Sequence, residues 1–301
     1  KMIFKTVIKK NINYLNFIKY SYFSHYPKVT ILLYHRIADQ YYNHPYGSVV
    51  GKIKFKEQML YFKKKFNLIS LNNLFLQIKN QEFINTNQLV ITFDDGSVDN
   101  YLNAYPILKN LSIPATFFLP TDYINSENIT WDWKLYEIIY NTKNLYNFSK
   151  SKLSHIKYTN KKNLLLKLVN YFKFLKPLVR DKYINELSNI LSFNNFDYIN
   201  NKSLSWNQVK EMSSSLLEFG SHGCSHTSLM NQDFNFFTDE LHVSKKTIEN
   251  HLSKECHYFS FPFGSKDDFN KKLINDSFLF YKSCFLNISG SNNLKKNNLV
   301  F

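Results

Sequence analysis

Short apolar runs alternate with stretches of helical period along most of this chain, which is the pattern of β/α units built on a parallel sheet. Val29 to Tyr34 reads as a buried strand, and Phe55, Met59, Phe62 and Phe66 mark one face of a helix. Leu68 to Leu71 reads as a short strand, with Asn72 or Asn73 placed to cap the helix that follows. Gln88 to Phe93 is a third strand, Val98 to Leu111 a helix and Ala115 to Leu119 a fourth strand.

The rhythm then breaks between about residues 130 and 201. Leu135, Ile138 and Ile139, then Leu164, Leu165, Leu168 and Val169, keep helical spacing there, so the stretch reads as a folded helical insertion, either a lid or docking subdomain or surface elaboration. Alternation resumes with a helix around Val209, Met212 and Leu216, and a strand at Leu217 to Ser221. A helix through Phe237, Leu241, Ser244 and Ile248 leads to a strand at Tyr258 to Phe261. A helix near Phe269 to Ile274 and a strand at Phe278 to Ser283 follow. About seven strands with no glycine-rich phosphate turn favour an α/β fold of a distorted (β/α)7-type barrel over an open doubly wound sheet. The domain spans residues 29–301, preceded by a segment over residues 1–28.

That segment carries Phe4, Ile8, Ile12, Leu15 and Ile18 at helical spacing beside Lys5, Lys9, Lys10 and Lys19. It describes a basic amphipathic helix over residues 2–20, suited either to a membrane interface or to packing on the domain. A formal charge of +15 in 301 residues fits an anionic partner, an acidic membrane surface or a solvated lysine-rich exterior. The lysines are dispersed and no RNA-recognition or helix-turn-helix pattern occurs, so nucleic acid is not expected as a partner. Cys224, Cys256 and Cys284 form no CxxC pair and read as reduced; with no apolar run long enough to cross a bilayer and no signal-peptide pattern, a cytoplasmic location is expected, including the inner membrane face. The ending Asn298-Leu299-Val300-Phe301 leaves room for further residues in a longer relative.

The chemistry gathers at strand ends. Leu89-Val90-Ile91-Thr92-Phe93 runs straight into Asp94-Asp95-Gly96, at the edge where β/α folds build active sites. Neighbouring residues in a strand face opposite ways, so both carboxylates reach one site only if the chain turns, which Gly96 permits. Two close carboxylates repel unless a proton or cation stands between them. Alone, the triplet describes an ordinary turn equally well. The second cluster shifts that balance: Gly220-Ser221-His222-Gly223-Cys224-Ser225-His226 also follows a strand and sets two histidines four apart. Two imidazoles and a carboxylate leave room for water and substrate on zinc, the default, or on cobalt, nickel or iron. The third piece is Phe259-Ser260-Phe261-Pro262-Phe263-Gly264, a turn able to present backbone N–H groups.

In this order, these pieces resemble the polysaccharide deacetylase family, the NodB-homology domains of carbohydrate esterase family 4, over roughly Val29 to Ser283. Thr92 to Gly96 matches the first motif, Ser221 to His226 the paired-histidine motif, and Phe261 to Gly264 the Pro-Tyr-Gly turn. The resemblance implies a metal-dependent hydrolase that removes N-acetyl groups from an envelope polysaccharide or lipid-linked sugar. Asp94 is then the base, Asp95, His222 and His226 the ligands of one divalent metal, Phe263 the backbone oxyanion donor, and Pro262 and Tyr34 part of the substrate-binding set. The chain departs from the family at two places. No histidine follows Ser283, so Tyr34-His35, which resembles the Tyr-His motif of the poly-N-acetylglucosamine branch, makes His35 the acid. Ser260 stands where many relatives carry an arginine that orients the base, with Arg36 as the candidate substitute. Trp131 and Trp133 fit either helix packing or stacking on sugar rings. An impaired sugar-binding module and an O-deacetylase are the competing readings.

Overall fold

The computed structural model describes residues 29–80, 87–126, 129–193, 202–214, 216–289 and 299–300; the basic segment over residues 2–20 lies outside them. The strands are β1 (Val29–Tyr34), β2 (Arg36–Ala38), β3 (Val49–Gly51), β4 (Asn67–Leu68), β5 (Gln88–Phe93), β6 (Ala115–Leu119), β7 (Leu217–Ser221), β8 (Tyr258–Ser260), β9 (Ser283–Phe285) and β10 (Leu299–Val300). An eight-stranded sheet runs in the order β1-β5-β6-β7-β8-β9-β10, with β4 also paired to β5; β2 and β3 form a separate pair. Every pairing in the large sheet is parallel. The sheet curls into a half-barrel, so the expected α/β barrel holds as an open arc: no pairing between β1 and β10 closes it among the described residues.

The helices are α1 (Lys52–Lys65), α2 (Leu71–Lys79), α3 (Tyr105–Leu111, entered through a π-helical turn at Asn100–Ala104), α4 (Trp131–Asn141), α5 (Lys161–Phe172), α6 (Pro177–Ile190), α7 (Trp206–Met212), α8 (Phe234–Leu252) and α9 (Lys271–Ser277). Strands β5 and β6 are buried at every position, as continuous apolar runs require when a sheet is covered on both faces. One core gathers the sheet with α1, α3, α7 and α8 around Phe55, Phe93, Phe117, Phe237 and Phe259. A second belongs to α4, α5 and α6 around Trp131, Leu135, Leu168 and Phe172, so the insertion has its own apolar centre.

Several boundaries differ from the sequence reading, and the helix expected around Val209, Met212 and Leu216 ends at Met212. The strand expected at Leu68 to Leu71 stops at Leu68, because Ser70 and not Asn72 or Asn73 caps α2, its side chain accepting from the Asn73 N–H. The last strand expected before the C-terminal region lies at Ser283–Phe285, not Phe278 to Ser283; Leu279 is 77% exposed, and residues 278–280 turn out of α9. The three cysteines are buried and free. No helix of the described residues is long and apolar enough to cross a membrane.

Candidate metal centre and catalytic cleft

Strand β5 delivers Asp94 and Asp95 through a sharp reversal. Asp95 and Gly96 both adopt left-handed backbone, at φ 72° and 59°, which swings the second carboxylate to the side of the first. Glycine accepts that conformation freely, whereas for aspartate it costs about 1–2 kcal/mol. Tight packing also selects Gly96, since a Cβ there would stand 2.9 Å from Ile124 Cδ1. The Asp94 N–H donates to the Tyr34 carbonyl at 3.0 Å, tying the end of β5 to the end of β1.

Next to β6, strand β7 delivers His222 directly and His226 through a four-residue loop. The His222 N–H donates to the Leu119 carbonyl, and Thr121 and Asp122 donate to the carbonyls of Gly223 and Cys224, so the loop is stitched to the end of β6. His222 Nδ1 lies 2.8 Å from the Ser260 carbonyl. A carbonyl can only accept, so Nδ1 carries the proton and Nε2 is left with its lone pair. That Nε2 is 3.6 Å from Asp95 Oδ1, and His226 Nε2 is 3.2 Å from the same oxygen.

Asp95, His222 and His226 each offer one ligand atom, and these atoms all lie within 4.8 Å of one another. Tetrahedral arms of about 2.0–2.1 Å would set neighbouring donors about 3.3 Å apart, so the two contacts at Asp95 Oδ1 have the spacing of a chelate. Asp95 Oδ1 is buried without a hydrogen-bond partner, an arrangement that is unfavourable unless a cation is its partner. The residues therefore fit one divalent ion. Against the downward effect of burial, Asp132 and Asp95 push His226 up to about 10, while His35, His222 and His226 outweigh burial to hold Asp95 well below the usual carboxylate range.

Asp94 is held differently, although its Oδ2 also lies 3.8 Å from His222 Nε2. Ser260 Oγ donates to its Oδ2 at 3.1 Å, and its Oδ1 has no hydrogen-bond partner although Asp94 is only 4% exposed. Burial raises its pKa, with His222 and His35 pulling the other way. Ser260 thus does the holding expected of Arg36, whose Nε instead pairs with Asp99 Oδ2 at 2.5 Å in a buried ion pair.

His35 follows β1 and is half-buried, within electrostatic reach of both carboxylates. The start of the helical segment after β5 fixes it: Asn100 Nδ2 donates to the His35 carbonyl at 2.8 Å, and Asp99 Oδ1 accepts from the Ile37 N–H. Tyr34 corrects its expected role. It is a core residue, its ring 5.3 Å from that of Phe55 and 5.4 Å from that of Phe93, with its hydroxyl donating to Gln58. The cause is alternation: if His35 faces the cleft, its neighbour on the strand faces the other way.

At the end of β8, Phe263 has φ 63° and no backbone carbonyl among the described residues accepts from its N–H. Its ring lies 4.8 Å from that of His226, which brings the Pro262-Phe263-Gly264 turn against the metal ligands. Pro262 is buried, with Cγ 3.8 Å from where a Cβ on Gly223 would stand. These strand ends bring together Asp94, Asp95, His222, His226 and Phe263, with His35 beside them.

The family model for polysaccharide deacetylases matches residues 84–277, well over half of the chain. The chain belongs to that family. A poly-β-1,6-N-acetyl-D-glucosamine N-deacetylase of Staphylococcus aureus strain MSSA476 is 27% identical over 139 residues, which cover 42% of this deacetylase-family chain and 48% of the relative. The chain therefore matches about half the length of that curated relative. Among solved structures, the Streptococcus pyogenes deacetylase PplD in complex with acetate superposes with a TM-score of 0.57 at 18% identity, covering 91% of this chain and 89% of that one. IcaB from Ammonifex degensii gives 0.56 at 15% identity, covering 86% and 84%. At these identities the two structures speak for the shared fold.

Three residues beside the site carry no reading in the sequence. His44, between β2 and β3, is buried with its ring 4.1 Å from that of Trp133 and its Nε2 unpartnered. Asp132 lies 3.2 Å from His226 Nδ1. Glu240, on α8, gathers the N–H groups of Cys224 and Ser225 between the two histidines. The sequence signal for Glu240 is an acid on the helix face that Phe237, Leu241 and Ile248 bury.

Proposed function

We propose that this chain hydrolyses the N-acetyl group of an N-acetylglucosamine-containing glycan, using one divalent metal held by Asp95, His222 and His226, with zinc the first candidate. The observation that carries the reading is the division of labour within Asp94-Asp95. One carboxylate sets its Oδ1 3.6 and 3.2 Å from the Nε2 atoms of both histidines, while the other is buried beside it with Ser260 on its Oδ2 and an unpartnered Oδ1. The glycan class rests on the activity for which the Staphylococcus aureus relative is named.

When bound, the cation supplies Lewis acidity, polarising the acetamide carbonyl and lowering the pKa of a water. Asp94 Oδ1 takes the proton of the attacking water, and the position of Ser260 on Oδ2 leaves Oδ1 as the atom that does so. The raised pKa of Asp94 strengthens it as a base relative to an exposed carboxylate. The Phe263 N–H donates to the oxyanion that develops as the water oxygen bonds to the acetyl carbon. His35 gives a proton to the amide nitrogen as the C–N bond breaks, so that acetate and a free amine leave.

Acetate release from N-acetylglucosamine oligomers tests this, with metal removed and restored. Asp94→Asn should lower turnover by about 10²–10⁴-fold, the usual contribution of a general base, and keep the metal. His35→Ala should likewise keep the metal and lose turnover. Release that persists without metal, or that ignores Asp94→Asn, would sink the mechanism.

A further inference from the structure

Helix α4 opens the insertion, and its first three residues, Trp131, Asp132 and Trp133, each reach the metal-ligand set. The Trp131 indole Nε1 donates to the His226 carbonyl at 2.7 Å. Asp132 Oδ1 lies 3.2 Å from His226 Nδ1. Those two atoms face each other as an ion pair off the line of a straight hydrogen bond, and neither has another hydrogen-bond partner. The Trp133 indole Nε1 makes a long hydrogen bond of 3.4 Å to Asp95 Oδ2. Both tryptophans are nearly fully buried, at 2% and 3% exposure.

Three consecutive residues of a helix ordinarily point about 100° apart and cannot share a target. They share one here because they occupy the first turn, N1 to N3 after the N-cap Thr130, where side chains lean back toward and past the helix start. The helix therefore approaches the site end-on.

Each contact removes a choice. With Oδ2 of Asp95 taken by Trp133, the oxygen left over is Oδ1, the atom both histidine Nε2 groups approach. With Nδ1 of His226 facing Asp132, its Nε2 is the nitrogen left for a cation. The Trp131 bond to the His226 carbonyl holds a residue whose backbone sits at φ 52°, a conformation that needs support from outside itself.

We propose that Trp131-Asp132-Trp133 is a set of positioning residues for the metal centre: the insertion supplies the contacts that decide which atoms of Asp95 and His226 face the metal. This rests on the metal-centre reading above. It assigns the start of the insertion a role in metal affinity, added to the packing of Trp131 and Trp133 in their apolar clusters.

Metal-stripped wild type, Asp132→Ala, Asp132→Asn and Trp133→Phe are titrated with Zn²⁺ and Co²⁺ against a chromophoric chelator. Urea unfolding first establishes conditions in which every metal-free form is fully folded, so that affinity reports the site alone. Asp132→Ala and Trp133→Phe should bind about 10–100-fold more weakly, the usual effect of losing a residue that orients a ligand. Asp132→Asn, which keeps an acceptor oxygen, should recover part of the loss, and the visible spectrum of bound Co²⁺ should change in Trp133→Phe. Wild-type affinity in both Asp132→Ala and Trp133→Phe would overturn the proposal while leaving the metal centre standing. Failure of the wild type itself to bind either ion would remove the metal-centre reading and this proposal with it.

Discussion

Removing the Glu240 side chain should unseat the loop that carries both histidines. Glu240 Oε2 accepts from the Cys224 N–H at 2.7 Å and the Ser225 N–H at 3.1 Å, and Oε1 accepts from Ser225 Oγ at 2.5 Å. The carboxylate presses so closely that a Cβ on Gly223 would meet Oε2 at 2.6 Å. Burial raises the Glu240 pKa, and these donors pull it back toward the ionised form. In Glu240→Ala two buried backbone N–H groups lose their acceptor, at about 1–3 kcal/mol each, with some relief if water enters the vacated space. A net loss of about 3 kcal/mol follows by the same reasoning. Glu240→Gln should cost only about 1 kcal/mol, because one amide oxygen can serve both N–H groups. Its NH₂ can then donate to Ser225 Oγ, whose own proton turns to Thr227 Oγ1, 2.8 Å away. Urea unfolding of the metal-free proteins gives the two values directly, and Zn²⁺ titration should show weaker binding for Ala than for Gln. A Glu240→Ala protein within about 0.5 kcal/mol of wild type, the usual range of a neutral surface change, would refute the reasoning, as would Gln and Ala being equally damaging.

Two further outcomes follow from single contacts. Ser260→Ala removes the hydrogen bond on Asp94 Oδ2 and should lower turnover by about 10-fold or more without changing metal affinity, since a bond to a charged group is worth about 1.5–3 kcal/mol; steady-state kinetics beside metal titration checks both, and unchanged turnover would show that Ser260 does not hold the base. His44, pushed down to about 4 chiefly by burial, is neutral when folded but charges near 6.5 when unfolded. Its contribution to stability is therefore complete above pH 6.5 and lost as pH falls toward 4, at up to about 1.4 kcal/mol per pH unit. The wild-type stability minus that of His44→Gln should shrink across that window, and a difference that stays flat would mean that His44 is not buried in its neutral form.

The strands that carry the site were legible because buried parallel strands announce themselves. Leu89 to Phe93 is a nearly unbroken apolar run and Leu217 to Ser221 a mostly buried one interrupted by Glu218; each ends abruptly in acids or a histidine, and both strands fall where the sequence places them. Boundaries failed where apolar residues continue past a strand into something else. Leu71 prolongs the Leu68-Ile69 run but is the first residue of α2, and Phe278-Leu279-Phe280 leaves α9 in turns. Tyr34 was misplaced although alternation along β1 was available to place it once His35 was set in the cleft. Trp131 and Trp133 were out of reach for a different reason. Their partners stand 95 and 38 residues away along the chain, and no periodicity carries information across such a distance.

Backbone strain was equally invisible, and it tells most about how site and fold depend on each other. Ser112 and Ser253 are left-handed at helix C-caps, where that conformation closes the last turn. Asp95, His226 and Phe263 are left-handed with no helix end to account for it, at φ 72°, 52° and 63°. At about 1–2 kcal/mol each they hold roughly 3–6 kcal/mol against the fold, a large part of the net stability of an ordinary domain. Strain of that size persists only where surrounding contacts over-determine it. Those contacts are Trp133 on Asp95, Trp131 on the His226 carbonyl, Glu240 beneath the histidine loop, and the rings of His226 and Trp131 against Phe263. Three of the four involve the start of the insertion. The half-barrel thus brings the acids and histidines to one edge, and the insertion helps hold them in the conformation that a single cation can use.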